Sequence, residues 1–276
     1  MTRTAPITLP PGLAVLRRLP LPRILGTLEA IYGRALAKHG VSWVHTAAGI
    51  VWKLDLRDSS QRWIVFGNYE GKRQMDWIHH WLRPGGTIID SGANVGQLLL
   101  YLGRLPNVRI HAFEPVPASV AWLHECLAAQ NAWPVNIIES ALSDREGTLR
   151  IQVDGAYSTT QMGWYQERGN PRIDVRSMRL DDYIEEQGVK QIRFWKLDVE
   201  GGEAQALAGA QRLLAQQRID AILVETSSET GEDIRKQLSD DGYSAMRIGP
   251  RQSLIPDYSV IETLRNSVFI RPGLDS

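Results

Sequence analysis

Apolar and polar positions alternate in two different ways along the chain, and the change falls near residue 87. In the first part, Ile24, Leu28, Ile31, Tyr32, Ala35 and Leu36 recur at helical spacing, which predicts a helix burying that face. The runs "GIVWKLDL" and "QRWIVFG" flank the polar "RDSS" and predict a β-hairpin. "RQMDWIHHWLRPGG" predicts a helix stopped by Pro84 and Gly85. Beyond it, the short apolar runs "TIID", "RIHAFE", "VNIIESAL", "IRFWKLDVE" and "AILVETS" alternate with the helical patterns "GQLLLYLGRL", "PASVAWLHECLAAQ" and "GGEAQALAGAQRLLAQ". That alternation implies right-handed crossovers and a parallel sheet covered on both faces. A further helix, about Glu229 to Asp240, and the strand-like "YSAMRIG" and "SVFIRPG" close the chain.

The expected division is a helical cap with a hairpin over residues 1–70, then a doubly wound α/β domain over 71–276. One stretch, 154–170, is polar, aromatic and aperiodic. A long irregular loop in a compact domain is usually functional or mobile, so it is the expected substrate loop. There Trp164 and Tyr165 could stack on a sugar face or an apolar ring.

Composition narrows the function classes. Lys plus Arg and Asp plus Glu number 31 each, with no long block of either sign. Nonspecific binding to nucleic acid or an acidic membrane needs a clustered positive field, so neither is expected. No window reaches the roughly 18 apolar residues of a membrane span. The N-terminal stretch, broken by proline and arginine, reads as a helical cap rather than a signal peptide. The single cysteine, Cys126, reads as a small buried thiol, which fits a cytoplasmic location.

The chemistry begins at "IIDSGANVGQ". A strand ends at Asp90 and breaks into the turn Gly92, Ala93, Asn94, Val95, Gly96. The Gly-Lys-Ser/Thr ending of a triphosphate loop is missing. So is the third glycine of a dinucleotide fingerprint. Asn94 tolerates unusual backbone angles and offers both a donor and an acceptor. That suits a ligand carrying a carboxylate and an ammonium, such as the methionyl end of S-adenosylmethionine. In "HAFEP", Glu114 ends the next strand, 24 positions after Asp90 (114 minus 90), where a carboxylate can accept both ribose hydroxyls; Pro115 follows it. Ser140, Ala141 and Leu142 could bind and cover an adenine. In "FWKLDVEGGEAQAL", Lys196 and Asp198 share a strand face, with Asp198 near the carboxyl end. Glu203 reads as a helix-start acid, and Asp198 and Glu200 as functional acids. Glu225 ends the neighbouring strand and could face the same pocket. With Asp198 it could also supply oxygen ligands to magnesium, the less favoured reading. His79 and His80 read as packing or surface groups.

These motifs, with "FGNYE", "ALSD" and "LDDYI", resemble the FkbM-type family of S-adenosylmethionine-dependent methyltransferases over about residues 50–270. The resemblance implies a class I methyltransferase fold, a mostly parallel, seven-stranded sheet with an antiparallel last strand. It implies O-methylation of polyketide-type, sugar or glycan hydroxyls. It assigns Gly92, Asn94 and Gly96 to the donor turn, Glu114 to the ribose, and Ser140 and Ala141 to the adenine. Asp198 and Glu200 would border the acceptor, with Asp198 first and Glu200 second as base. Tyr69 and Glu70 match the family's Tyr-Glu pair and would close over the donor. The competing readings are a dinucleotide-binding oxidoreductase and a silent domain of the same fold that binds a partner. A homo-oligomer is left open.

Overall fold

The computed structural model describes residues 5–17, 24–46, 49–67, 72–130, 133–153, 160–161, 172–225, 231–257 and 267–274. The chain divides into two compact units, residues 1–76 with 122–133, and residues 77–121 with 134–276.

The first unit begins with helices α1 (Pro11–Leu16) and α2 (Ile24–Ala37), then strands β1 (Val41–His45) and β2 (Val51–Asp55), then helix α3 (Ser59–Phe66). The hairpin exists, but with other partners than the sequence pattern predicts. β1 pairs antiparallel with β2, Val41 opposite Asp55, and "QRWIVF" is helical. The polar "RDSS" is a helix start rather than a turn. Asp58 is the N-cap, its carboxylate accepting the Ser60 N–H at 2.8 Å, and Gly67 ends the helix at φ 77°. The buried face of α2 is also turned from the predicted one. Leu28, Gly33 and Leu36 are buried while Ile31 is 56% exposed. The cause is Glu29, whose carboxylate receives the buried Arg62 guanidinium and lies over Gly33, where a β-carbon would meet it at 2.5 Å. Arg62 also donates to the Leu56 and Arg57 carbonyls, both at 2.8 Å, so one side chain ties α3 to α2 and to the end of the hairpin.

The unit boundaries fall within helix α4 (Lys72–Trp81) and, later, α6. Next come β3 (Gly86–Ser91), α5 (Gln97–Leu102), β4 (Val108–Phe113), α6 (Pro117–Ala128), β5 (Val135–Ile138), β6 (Ala141–Leu142), β7 (Gly147–Val153), β8 (Thr160–Gln161) and β9 (Arg172–Met178). They are followed by α7 (Leu180–Glu186), β10 (Ile192–Leu197), α8 (Glu203–Ala208), α9 (Gln211–Ala215), β11 (Ala221–Val224), α10 (Gly231–Asp240), β12 (Ser244–Ile248), β13 (Leu254–Pro256) and β14 (Ser267–Ile270). Cys126 on α6 is buried, and burial pushes its thiol up to about 12, so it is a packing residue.

The large sheet of the second unit runs β13-β12-β14-β11-β10-β3-β4-β5. β5, β4, β3, β10 and β11 are mutually parallel, and β14 inserts antiparallel between β11 and β12. This is the doubly wound, mostly parallel sheet with an antiparallel last strand that the resemblance implies. The three-residue β13 adds an eighth strand at the edge, against β12. The chain leaves β3 for β4 and β5, then returns to β10 on the other side of β3. The order therefore reverses between β3 and β10, the place where a ligand crevice opens beyond the strand ends. β11 is buried along its whole length, as its unbroken apolar run requires when both faces are covered.

A second sheet, β6-β9-β7-β8, has its own small core of Val116, Ala141, Ile151, Val153 and Val175. The run "VNIIESAL" thus serves two sheets, with Glu139 and Ser140 between them. The predicted single helix after residue 202 is two helices. Asp181, fully buried, accepts the N–H groups of Arg212 and Leu213, both at 3.0 Å, and starts α9 afresh. Gly209 stands at the break, where a β-carbon would lie 2.0 Å from the Ser143 carbonyl.

Candidate active site

At the carboxyl end of β3 the backbone enters left-handed conformations at Gly92 (φ 80°), Asn94 (φ 47°) and Gly96 (φ 83°). Glycine and asparagine are the residues that take such angles at least cost. The turn is fixed from the neighbouring strand, with the N–H groups of Gly92 and Ala93 donating to the Phe113 carbonyl at 3.0 and 3.2 Å. Glu114 completes the hold. Its carboxylate accepts the Asn94 N–H at 2.8 Å and the Val116 N–H at 3.0 Å. Burial pushes this carboxyl up to about 7, against the pull of those two amides.

β10 is joined to β3 at the same level. The buried Trp195 donates its indole N–H to Ser91 Oγ at 2.8 Å, and the Asp198 N–H reaches the Ser91 carbonyl at 3.2 Å. Neither Trp195 nor Ser91 carries a signal in the local sequence pattern, because the bond spans 104 positions. Beside the turn lies a small pocket, partly open to solvent. Gly92, Phe113 and Pro115 form one side and Ser140, Ala141 and Leu142 another. Ile151 of the small sheet and Val199 close it, two contributors that sequence reasoning missed. The Ser140 hydroxyl is committed to backbone, shared between the carbonyls of Ala141 (3.1 Å) and Arg176 (3.2 Å).

The acids gather on the β10 side. Lys196 donates to Asp198 Oδ2 at 2.7 Å. The Glu225 carboxyl hydrogen-bonds that of Asp198. Burial and that neighbouring acid push Glu225 up to about 9, so it holds a proton at neutral pH. Asp198 sits low despite its burial, because Lys196 and the Glu225 hydrogen bond favour its ionised form. Lys196 stays charged, since Asp198 and Asp90 outweigh the effect of burial. Glu200 stands in the left-handed region at φ 55°, an uncommon angle for a side chain of its kind. Glu203 turns back and accepts the N–H groups of Val199 (3.1 Å) and Gly201 (3.2 and 3.1 Å), bracing the loop as the sequence reading of it as a helix-start acid anticipates.

A family model described as the methyltransferase FkbM domain matches residues 90–245, from Asp90 near the end of β3 to the start of β12. The chain belongs to the FkbM methyltransferase domain family. Among curated relatives, this FkbM-domain chain is 28% identical over 160 residues to the 31-O-demethyl-FK506 methyltransferase FkbM of Streptomyces tacrolimicus. The match covers 47% of this chain and 61% of that protein, less than two thirds of its length. It is 28% identical to the methyltransferase sdnD of Sordaria araneosa, covering 64% and 80%, and 28% identical to the 2-O-methyltransferase NoeI of Sinorhizobium fredii, covering 49% and 62%. Among solved structures, it matches a precorrin-6y C5,15-methyltransferase from Geobacter metallireducens with a TM-score of 0.41 at 13% identity, covering 74% of this chain and 89% of that one.

Of the residues the sequence singles out in this FkbM domain, Gly92, Ala93, Asn94 and Gly96 form the turn, Asp90 precedes it on β3, and Glu114 holds it from the end of β4. Pro115, Ser140, Ala141 and Leu142 line the pocket beside it. Asp198 and Glu225 are in contact on the far side of the β3–β10 junction. Tyr69, Glu70, Trp164 and Tyr165 lie outside the described residues. His79 and His80 are exposed on α4. Among the described residues no group of three or more His, Cys, Asp or Glu is arranged to hold a metal ion, and no helix is long and apolar enough to cross a membrane.

Proposed function

We propose that this chain is an S-adenosylmethionine-dependent O-methyltransferase acting on a hydroxyl of a sugar, glycan or polyketide-type molecule. One observation carries the reading. The end of β3 and the left-handed turn after it, held by Glu114, present buried polar atoms that protein groups leave unmatched, beside an apolar pocket. Both carboxylate oxygens of Asp90 and the Oδ1 of Asn94 are buried without a hydrogen-bond partner. Such acceptors call for a donor-rich, cationic group. Glu114, after accepting two amides, still has lone pairs for hydroxyls.

The residues therefore fit the donor. Asp90 and Asn94 would hold its ammonium end and Glu114 its ribose. Phe113, Ser140, Ala141, Leu142 and Ile151 would enclose its adenine. When bound, S-adenosylmethionine supplies an electrophilic methyl group. Asp198 takes the proton of the acceptor hydroxyl as the oxygen–carbon bond forms. Its low basicity means that the proton moves during bond formation rather than before it. Lys196 orients this carboxylate and keeps it ionised, and protonated Glu225 steadies it from the other side. Glu200, on its strained backbone at the same rim, is the second candidate for the base. The acceptor class takes further support from relatives whose names specify 31-O and 2-O methylation.

The direct test is transfer of labelled methyl from S-adenosylmethionine onto a panel of glycans, nucleotide sugars and macrolactones. Label on an acceptor hydroxyl is the expected result. Calorimetric heat with NADH and none with S-adenosylhomocysteine would overturn the reading in favour of a dinucleotide enzyme.

A further inference from the structure

Asp90 is 1% exposed, and neither of its carboxylate oxygens is hydrogen-bonded. An ionised carboxylate in that position, with no donor, is costly. It either keeps a proton or is matched by a cation that arrives with a ligand. The charged groups facing it come from two neighbouring strands. Lys196 is its register partner on β10, Asp198 follows at the end of that strand, and Glu114 lies beyond β4. Lys196 is engaged with Asp198 at 2.7 Å. Glu114 is engaged with two backbone amides. No side chain among these supplies a donor to Asp90. The unpartnered Oδ1 of Asn94 adds a third acceptor to the same turn.

We propose that at mildly acidic pH Asp90 carries a proton in the ligand-free protein and releases it when a ligand bearing an ammonium group binds, so that donor binding is coupled to proton release. The proposal rests on the reading of this turn as the S-adenosylmethionine site. The balance is simple. The carboxylic O–H bond breaks, its proton goes to solvent, and the carboxylate accepts N–H bonds from the ammonium. Burial holds the free carboxyl up at about 6, with Lys196 pulling it down and Asp198 pushing it up. Near pH 6 it is therefore about half protonated, and release should approach roughly half a proton per ligand. At that pH the amino group of an α-amino acid is itself fully protonated, so the ligand contributes no proton.

The test is isothermal titration calorimetry of the full chain with S-adenosylhomocysteine at pH 6, in buffers of different ionisation heat. The dependence of the observed heat on buffer counts the protons. 5′-Methylthioadenosine serves as the second ligand, with the same purine, ribose and sulfur but no ammonium. Any release through Glu114 and the ribose appears with both ligands, whereas release from Asp90 appears with S-adenosylhomocysteine alone. The expected result is an excess of about half a proton for S-adenosylhomocysteine. Its affinity should also weaken roughly fivefold between pH 6 and pH 5. Asp90→Asn should abolish the excess. If the excess persists in that variant, the proton belongs to another group and the proposal falls. If S-adenosylhomocysteine binds with no more release than 5′-methylthioadenosine, the proposal fails while the donor site stands, and that outcome needs no variant. If S-adenosylhomocysteine does not bind at all, the donor reading fails and the proposal with it.

Discussion

Gly92 and the carbonyl of Asp198 touch so closely that a β-carbon on Gly92 would lie 1.9 Å from that oxygen. Gly92 also sits at φ 80°. Two separate demands thus fall on one residue, a left-handed backbone and room for the acid-bearing loop. Gly92→Ala should cost on the order of 2–4 kcal/mol of stability, the sum of backbone strain and overpacking. It should also remove detectable S-adenosylhomocysteine binding. Thermal unfolding and calorimetry check both, and a variant as stable as the parent would show that the loop yields freely.

The ligand-free protein should lose stability as pH rises from about 4 to about 7. Asp90 is raised from its ordinary 3.8 to about 6, and Glu114 from 4.5 to about 7. A carboxyl raised by folding binds its proton more tightly in the folded state. Its contribution favours folding below the unfolded value and disappears as pH climbs through the folded one. Each group accounts for on the order of 3 kcal/mol across that window. Denaturant unfolding at a series of pH values should show the decline, and Asp90→Asn and Glu114→Gln should each flatten it. Stability rising with pH over this range would contradict the burial of both groups as ionisable acids.

Asp198→Asn should leave S-adenosylhomocysteine affinity within about threefold and reduce methyl transfer about 10²–10⁴-fold, the usual contribution of a general base. Once the panel has given an acceptor, turnover of the two proteins side by side is the measurement. Full turnover in the variant would pass the role to Glu200.

Asp181→Ala should lower stability by about 2 kcal/mol, through loss of the helix cap and of a buried acceptor for two amides. Donor affinity, measured well below the unfolding transition, should change by less than about threefold. A loss of binding larger than the loss of stability would mean that the break between α8 and α9 positions the site.

The parts of the site legible in the sequence are those set by neighbours along the chain. Asp90, Gly92, Asn94 and Glu114 stand at strand ends, and an apolar run followed by an acid or a glycine marks a strand end by itself. The sequence of parallel strands and crossovers is legible for the same reason. Features fixed by distant partners are not. Ile151 enters the pocket because a second sheet folds beside the first, and nothing around it distinguishes it from any strand residue. Trp195 finds Ser91 only once β10 lies against β3. The segment "QRWIVF" has strand-like composition, yet Asp58 and Gly67 cap it as a helix, and capping outweighs a weak propensity over so short a run. Helix α2 turns a different face inward because Glu29 must meet Arg62, an ion pair that apolar periodicity does not register.

The buried Asp181 belongs to "LDDYI", a motif that helps to mark the chain as an FkbM-type protein, yet its carboxylate is used on the backbone amides of α9 and on Arg179. A recognisable signature can therefore be a carpenter's joint. A chain that kept this aspartate and lost Asp198 would still carry the motif and still be recruited to the family by its pattern, while lacking the base proposed above. If the proposed roles hold, the letters that sort working enzymes from inert look-alikes are the strand-end acids, and the aspartate that holds α9 in place says only that the frame was built.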